Sequence, residues 1–430
     1  MLRRMPATSP DMRSLFAAAM NELGPFPPAP RLAAGVSGGA DSLALALLTD
    51  DWVRARGGTM LALIVDHGLR GEAAQEAAQT AALLATRGIA ANILRLDSLL
   101  PGPGLAERAR TARFNALTAA CAEAGITDLL LGHHAADQAE TLLIRALSAS
   151  GPAGMAGMAS LRAFPAGRML RPLLGIAPGA LRDFLRAAGL RWVEDPSNTN
   201  PTALRARLRA LRGDPAGDGF ATNTLRATAA KAGHARRQGE TDIATWLATH
   251  VSLRAEGFAI MPPGPFPPDA FSSLIRAISG ATFPPARAQV ARLAARPYQA
   301  TLAGTRLLLA GSLGAGSLGA NWLLIREAAA MQAPIPAIAG AIWDGRFRLR
   351  SGVEDAGVGA LTFGAVGGDA ASLRQRSPLP AAILATLPAL RRGGEIVCVP
   401  HLDDSTSPWP ATIQPAQPHP AAPVPFVVGA

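Results

Sequence analysis

The chain is 430 residues long and 49% hydrophobic, more than a single core can absorb, so two or three domains are expected. Its formal net charge of +10 admits a polyanionic partner, but Lys231 is the sole lysine among 41 basic residues, a composition bias that makes the charge permissive and no more. The two cysteines, Cys121 and Cys398, lie far apart with neither CxxC nor metal spacing, which excludes a disulfide scaffold and a cysteine nucleophile and suits a reducing cytosol.

The N-terminal segment carries one apolar run, LFAAAM, ended by Asn21 and Glu22 and too short for a secretion signal, so a cytoplasmic protein is expected. From Leu32 to about Leu190, short apolar runs alternate with longer amphipathic ones, the pattern of β-α units around a parallel sheet. The predicted strands are RLAAGVS (31–37), MLALIVD (60–66), AANILRL (90–96) and DLLLGH (128–133), and the predicted helices 42–56, 72–87, 105–124 and 135–147. A break, GDPAGDG at 213–219, closes a first domain of residues 1–213. A mostly helical middle domain, 214–330, opens with a helical run at 223–249 and ends in a hairpin, RLLLA and NWLLIRE, around a local duplication, GSLGAGSLG. Residues 307–325 are uncharged over a bilayer-spanning length, yet their glycines, serines and Asn321 favour strands, so no membrane partner is expected. A small α+β domain, 331–403, contributes strand-like FRLR and EIVCVP around an apolar helical piece, AAILATLPAL. The Pro-rich tail, 404–430, has little to bury and is expected to be disordered or loosely docked.

The stretch SGGADS, 37–42, falls between the first predicted strand and its helix. Gly38 and Gly39 permit a tight turn and close backbone approach, and the N–H groups of the turn and first helical turn form an anion cradle. A bare SGG is more often a capped turn, and neither GxxxxGK[ST] nor GxGxxG is present, so no lysine grips a γ-phosphate here. The second strand ends in VDHGLRGEAAQEA and the fourth in LGHHAADQAETLLIRALSASGPAGMAGM. Asp66, His67, His133, His134 and Asp137 therefore share the carboxyl edge of the sheet, where one cleft can collect them. Such residues also suit a metal cluster, but no HExxH or i,i+4 histidine pair supports zinc.

SGGADS after a strand resembles the SGGxDS loop of the PP-loop ATP pyrophosphatases, which cleave ATP between the α and β phosphates and adenylate a substrate oxygen. With VDHGLRGEAA, LAERARTARF, GHHAADQAET and its SGPAGMAGM continuation, RPLLG and VEDPSNTN, most of residues 31–212 resembles one family of that superfamily, the tRNA(Ile)-lysidine synthetases. The resemblance implies an α/β fold: an N-terminal parallel-sheet, Rossmann-like PP-loop domain, then the mostly helical middle domain and the small α+β domain, with residues 220–403 positioning tRNA. It implies an AMP-forming carbon-nitrogen ligase that joins free L-lysine to the wobble cytidine of tRNA(Ile) with a CAU anticodon, through an adenylated cytidine. It places ATP against Ser37, Gly38, Gly39, Ala40, Asp41 and Ser42 with Asp66, His67 and His133, and Mg2+ near Asp41 and Asp137. The lysine ε-amine, with a pKa of about 10.4, is mostly protonated at neutral pH, so a carboxylate or imidazole must take a proton; Asp137 is the first candidate and His134 the second. Arg110, Arg113, Arg205, Arg207 and Arg209 match basic positions of the family motifs and are candidates for phosphates of ATP or tRNA, though each also suits a solvated helix face. A homodimer is left open.

One position departs from the family. Ala136 stands where the first of two adjacent acidic residues is usual. A charge at that helix start is worth about 0.3–1 kcal/mol through the helix dipole, so aspartate at 136 is expected to raise stability slightly and leave activity alone. Two other readings stay open: another PP-loop adenylating enzyme acting on RNA, and a catalytically inactive tRNA-binding relic. A thiolase would carry paired cysteines and an amidating synthetase an ammonia source, and neither is apparent.

Overall fold

Strand β1 (Arg31–Val36) turns Leu32, Ala34 and Val36 to one side and Ala33 to the other, all buried, so both of its faces need cover. In the computed structural model it lies within a six-stranded sheet ordered β3-β2-β1-β4-β6-β5. Strands β2 (Thr59–Asp66), β3 (Ala90–Arg95), β4 (Asp128–Leu131) and β6 (Gly167–Leu170) continue the parallel ladder, and β5 (Leu161–Phe164) closes the edge antiparallel to β6. The structure describes residues 11–68, 71–96, 102, 104–164, 166–194, 204–313, 320–351, 361–402, 412–416, 421–423 and 425–429.

Helices α1 (Met12–Leu23), α2 (Ala40–Arg54), α3 (Ala73–Ala85) and α6 (Pro178–Ala187) cover one face, where Met20, Leu43, Leu84 and Leu181 join Leu32, Ala34 and Ile64 in one core. On the other face α4 (Leu105–Glu123) brings Leu117 and Cys121 against Ala33, Leu63 and Leu129. Burial pushes the Cys121 thiol up to about 11, which removes it from nucleophilic chemistry. From β1 the chain steps outward through β2 to β3, then returns to β4 on the opposite side of β1. The loop after β1 and the loop before α5 (Ala135–Leu147) thus become neighbours at the switch point of the sheet. The predicted strands and helices of this region agree with the observed ones to within a few terminal residues. The edge hairpin of β5 and β6 was not foreseen.

Two compact units divide the chain: the described residues up to Arg237 with Phe426–Gly429, and those from Gln238 to Pro425. The helical run expected at 223–249 is one helix, α8 (Phe220–His250), and it passes from the first unit into the second. In the second unit the expected hairpin, Thr305–Leu309 against Trp322–Arg326, is the middle of a five-stranded antiparallel sheet. Helices Pro268–Ser279 and Arg287–Ala295 cover that sheet through Phe271, Leu274 and Val290. The duplicated glycines at 314 and 316 lie outside the described residues. AAILATLPAL is helical only over Ala381–Leu384; Pro388, which cannot donate an amide to a helix, instead begins strand Pro388–Arg392, paired with Leu361–Ala365. Among the described residues no helix is long and apolar enough to cross a membrane.

The described part of the tail is more ordered than expected. Thr412–Pro415 pairs with Phe347–Ser351 in the second unit, and Phe426–Gly429 fold onto the first. Ser160 Oγ donates to the Val427 and Val428 carbonyls at 3.0 and 3.2 Å, Phe426 is buried, and the Arg236 guanidinium lies 4.7 Å from its ring centre. Two valines and a phenylalanine in a Pro-rich context are enough apolar area to hold a short strap. Phe426→Ala is expected to lower stability by about 3 kcal/mol, read as a lower urea midpoint; an unchanged midpoint would show that the strap contributes nothing.

Candidate active site

The loop after β1 is shaped by its own side chains. Gly38 adopts φ +84°, and a Cβ there would come within 2.6 Å of Thr80 Oγ1. The Ser37 amide donates to Ser42 Oγ at 3.1 Å, and Ser42 Oγ donates to the Gly39 carbonyl at 3.0 Å. With glycine as its N-cap, α2 brings no capping side chain, which leaves the first-turn N–H groups for an anion. Val193 donates its amide to the Gly38 carbonyl at 3.0 Å, tying the start of VEDPSNTN to the loop, while residues 195–203 lie outside the described residues.

The β4-α5 loop lies directly against this turn, because a Cβ on Gly132 would meet the Asp41 carbonyl and Ser42 Cα at 3.3 Å. His134 caps α5 in a reciprocal box: its Nδ1 accepts from the Asp137 amide at 3.4 Å and its own amide donates to Asp137 Oδ2 at 3.1 Å. That leaves the proton on Nε2, which faces Asp41 Oδ2 at 3.4 Å and Asp137 Oδ2 at 3.5 Å. Burial works against the imidazolium, but Asp137 and the hydrogen bond to Asp41 overcome it and hold the His134 pKa above the ordinary value. Burial likewise opposes the Asp137 carboxylate, yet His134, His133, a backbone amide and Arg205 keep its pKa below the usual range.

His133 is the opposite case. Burial and the nearby Arg171, Arg110 and Arg205 outweigh the attraction of Asp137 and push its pKa down to about 4, so it is neutral at pH 7. Its Nδ1 and one oxygen of Asp41, Oδ1, are buried without a hydrogen-bond partner among the described residues. Asp66 accepts the Gly68 amide at 2.9 Å, closing the turn that carries His67. Burial, then Arg113, lower the His67 pKa against the pull of Asp66.

The structure thus gathers the PP-loop, His133, His134 and Asp137, with Arg110 and Arg205 acting on the same histidine. Helix α7 (Leu204–Arg212) aims Arg205 at Asp137 Oδ1, 3.8 Å away, while Arg207 is exposed. Arg209 is not a free phosphate ligand: it grips Glu140 through two bonds of 2.8 and 3.2 Å, and Arg212 lies 3.8 Å from the same carboxylate. Glu140, fully buried, was missed by sequence reasoning, although its spacing of three from Asp137 puts both on one face of α5. Arg171, in RPLLG, was missed too. It is buried, donates to the Ala159 carbonyl at 2.6 Å and has no carboxylate partner among the described residues. The SGPAGMAGM segment is clamped to α5 by a reciprocal pair between Gln138 and the Met158 backbone, at 3.0 and 2.7 Å, and by Arg145, which donates to the Gly154 and Gly157 carbonyls.

A PP-loop domain model matches residues 11–212. A tRNA(Ile)-lysidine synthase of Ruegeria pomeroyi is 33% identical over 398 residues, covering 90% of this chain and 92% of that protein. The chain belongs to the tRNA(Ile)-lysidine synthase family. A Bradyrhizobium relative of the same name is 36% identical over 276 residues, 63% of this chain and 75% of the relative. One from Hyphomonas neptunium reaches 47% identity over 182 residues, 41% of this chain, and that match spans about half of the relative, 49% of its length.

Within this family the alanine at 136 has a packing reason. Ala136 is 2% exposed, its carbonyl accepts from Arg212 at 3.4 Å, and its Cβ lies 3.4 Å from where a Cβ on Gly217 would stand. The helix-dipole expectation took no account of this burial and is corrected here. Ala136→Asp is expected to cost about 1–3 kcal/mol in overpacking before any desolvation of the carboxylate, read as a lower melting temperature; a higher melting temperature would restore the dipole account.

His133 also sets a pH dependence. His133 has a folded pKa of about 4, below its unfolded value, so the unfolded chain binds the extra proton and stability is lost as pH falls from 6.5 toward 4. His133→Asn is expected to lose less stability than the unchanged protein between pH 7 and 5 in urea unfolding. Equal losses would show that His133 does not carry the dependence.

Proposed function

We infer that this chain uses ATP to attach lysine to the wobble cytidine of tRNA(Ile). The observation that carries the reading is the single imidazole, His134, that faces a PP-loop carboxylate, Asp41, and the α5 carboxylate Asp137 at 3.4 and 3.5 Å. It joins a phosphate cradle to a proton acceptor at hydrogen-bonding range. Cytosine is first activated when its carbonyl oxygen attacks the α-phosphorus of ATP, breaking the bond to the β-phosphate bridge and releasing pyrophosphate into the Ser37–Ser42 turn. The lysine ε-amine then attacks the adenylated carbon, loses a proton to Asp137, and AMP departs with the former carbonyl oxygen. Asp137 is the proton acceptor and His134 a positioning residue, because the raised His134 pKa makes it the proton holder of the pair. Arg110, Arg171 and Arg205, which press on His133, supply the positive field for a polyphosphate.

The residues fit a magnesium ion. Asp41 Oδ1 is a buried carboxylate oxygen lacking a hydrogen-bond partner among the described residues, and one or two carboxylates beside substrate phosphates are what this cation takes. Asp41 and Asp137 would hold it, and bound it neutralises charge on the polyphosphate. Residues 214–403 are read as the tRNA-positioning part, and the sparse cysteines as those of a cytoplasmic protein. An intact carboxylate-imidazole-carboxylate arrangement disfavours the inactive-relic reading.

The test is incorporation of labelled lysine into tRNA(Ile) with a CAU anticodon, given ATP and magnesium, with the methionine tRNA of the same anticodon as control. Asp137→Asn is expected to cut turnover about a hundredfold or more, and Asp41→Ala to abolish tRNA-dependent AMP formation with the fold retained. Full turnover in Asp41→Ala, or equal labelling of both tRNAs, would overturn the reading.

A further inference from the structure

The second unit contains a buried cluster of two arginines and one aspartate that is not neutralised among the described residues. Arg326 grips Asp344 through two bonds of 2.8 Å, and Arg346 Nε donates to the same carboxylate at 2.7 Å. Two guanidiniums therefore share one carboxylate, with all three side chains at least 93% buried. Arg346 Nη2 donates to the Thr386 carbonyl at 3.0 Å, but Nη1 is buried with no hydrogen-bond partner among the described residues. Its position is fixed by the turn after Ser252–Arg254: a Cβ on Gly257, where φ is +83°, would stand 3.0 Å from Nη1. At this point a recess of about 70 Å³ opens, lined by Arg254, Gly257, Arg276, Gly280, Arg346 and Phe347 among others.

By this measure a single water needs roughly 10–15 Å³, so the recess has room for a tetrahedral oxyanion. Arg254 and Arg276 stand at its wall beside the buried Arg346. The nearest acid on the Arg254 turn, Glu256, is 3.7 Å from Arg254 Nε, so four guanidiniums face two carboxylates across cluster and recess. Leu253, Ile278 and Phe347 supply an apolar lining, which lowers the local dielectric and strengthens attraction for an anion. Burial lowers the Arg346 pKa to about 10 in spite of Asp344, a cost that an anion on Nη1 would offset.

We propose that this recess is a phosphate site, formed by Arg346 Nη1, Arg254 and Arg276, that takes a backbone phosphate of the tRNA. The identity of the phosphate rests on the functional reading above; the existence of the site does not. Arg254 and Arg276 lie outside the Arg326–Asp344–Arg346 cluster, so Arg254→Gln and Arg276→Gln, singly and together in the full chain, leave the buried ion network in place.

Two measurements separate the parts of the proposal. Inorganic phosphate at millimolar concentration is expected to raise the melting temperature of the unchanged protein more than that of the double variant; an equal rise would mean that the recess binds no oxyanion. Binding of tRNA(Ile) titrated over salt is expected to weaken roughly tenfold in the double variant, with each arginine removed flattening the slope of log K against log salt by about one. If the phosphate response is lost while tRNA affinity and slope stay unchanged, the site serves a free anion and the assignment to RNA is overturned. A protein that responds to phosphate yet binds no tRNA at all would retain the site and defeat the functional reading. Arg346→Gln adds a third arm: if it folds, it too is expected to lose the phosphate response, and retention of that response would overturn the role of Nη1.

Discussion

The chemistry of the first unit depends on how closely β1 and β4 approach at their carboxyl ends. Their register runs from Leu32 opposite Asp128 to Gly35 opposite Leu131, and a Cβ on Gly35 would stand 2.9 Å from a Leu131 methyl. One residue further, Gly132 lets the β4-α5 loop lie on the first turn of α2 with backbone contacts of 3.3 Å. These two glycines bring His134 within reach of Asp41, although 93 positions separate them in the chain. A side chain at either position would wedge the loops apart, and a shift of about 1 Å at a reacting geometry is enough to cost a hundredfold in rate. The sheet order supplies the neighbourhood, and the missing side chains supply the distance.

Given that approach, burial decides what each group can do. His133 and His134 are adjacent in sequence and are pushed in opposite directions, His133 down to about 4 by burial and by Arg171, Arg110 and Arg205, His134 upward by Asp137 and Asp41 against its own burial. His133 is a neutral hydrogen-bonding group among cations; His134, with Nε2 between two carboxylates, holds its proton more tightly than an ordinary imidazole. The same histidine caps α5 and fixes the direction in which Asp137 points, so a stability device and the proposed catalytic arrangement share atoms. Glu140 extends this logic one helical turn, since Arg209 and Arg212 tie α7 to the face of α5 that carries Asp137.

Most of the first unit was legible in the sequence because its central strands, β1, β2 and β4, are mostly buried and alternate with helices, so apolar period and glycine punctuation agree. The neighbourhood of the candidate site was legible where titratable residues fell just after strand ends, as with Asp41, His134 and Asp137. What escaped were features set by packing between distant segments. Glu140 and Arg171 look like ordinary solvated charges, yet both are buried, Glu140 against Arg209 and Arg171 against the Ala159 carbonyl. Ala136 reads as a helix start open to a charge, and its burial beside Gly217 decides that it is not. Phe426 reads as part of a polar, Pro-rich tail, and Gly233, whose Cβ would lie 3.0 Å from its ring, decides that it docks. For Glu140, Ala136 and Phe426 the deciding neighbour lies dozens of residues away or more, beyond the reach of any local pattern.

The arginine content deserves a different weight once placed in the fold. As composition it is a bias; as position it is a constraint. A buried lysine can shed its proton when it lacks a partner, whereas a guanidinium stays charged at neutral pH even when burial lowers its pKa to about 10, as it does for both Arg171 and Arg346. Among the described residues neither has its charge matched: Arg171 meets a carbonyl and a thioether, and Arg346 shares Asp344 with Arg326. An interior that keeps such charges is less stable than one that pairs them, unless an anion arrives to complete the pairing. One of these arginines borders the PP-loop site and the other a recess of phosphate size, so the unneutralised charge stands where polyphosphate or RNA would complete it. The net charge of +10 says only that anions are welcome; the two buried arginines say where.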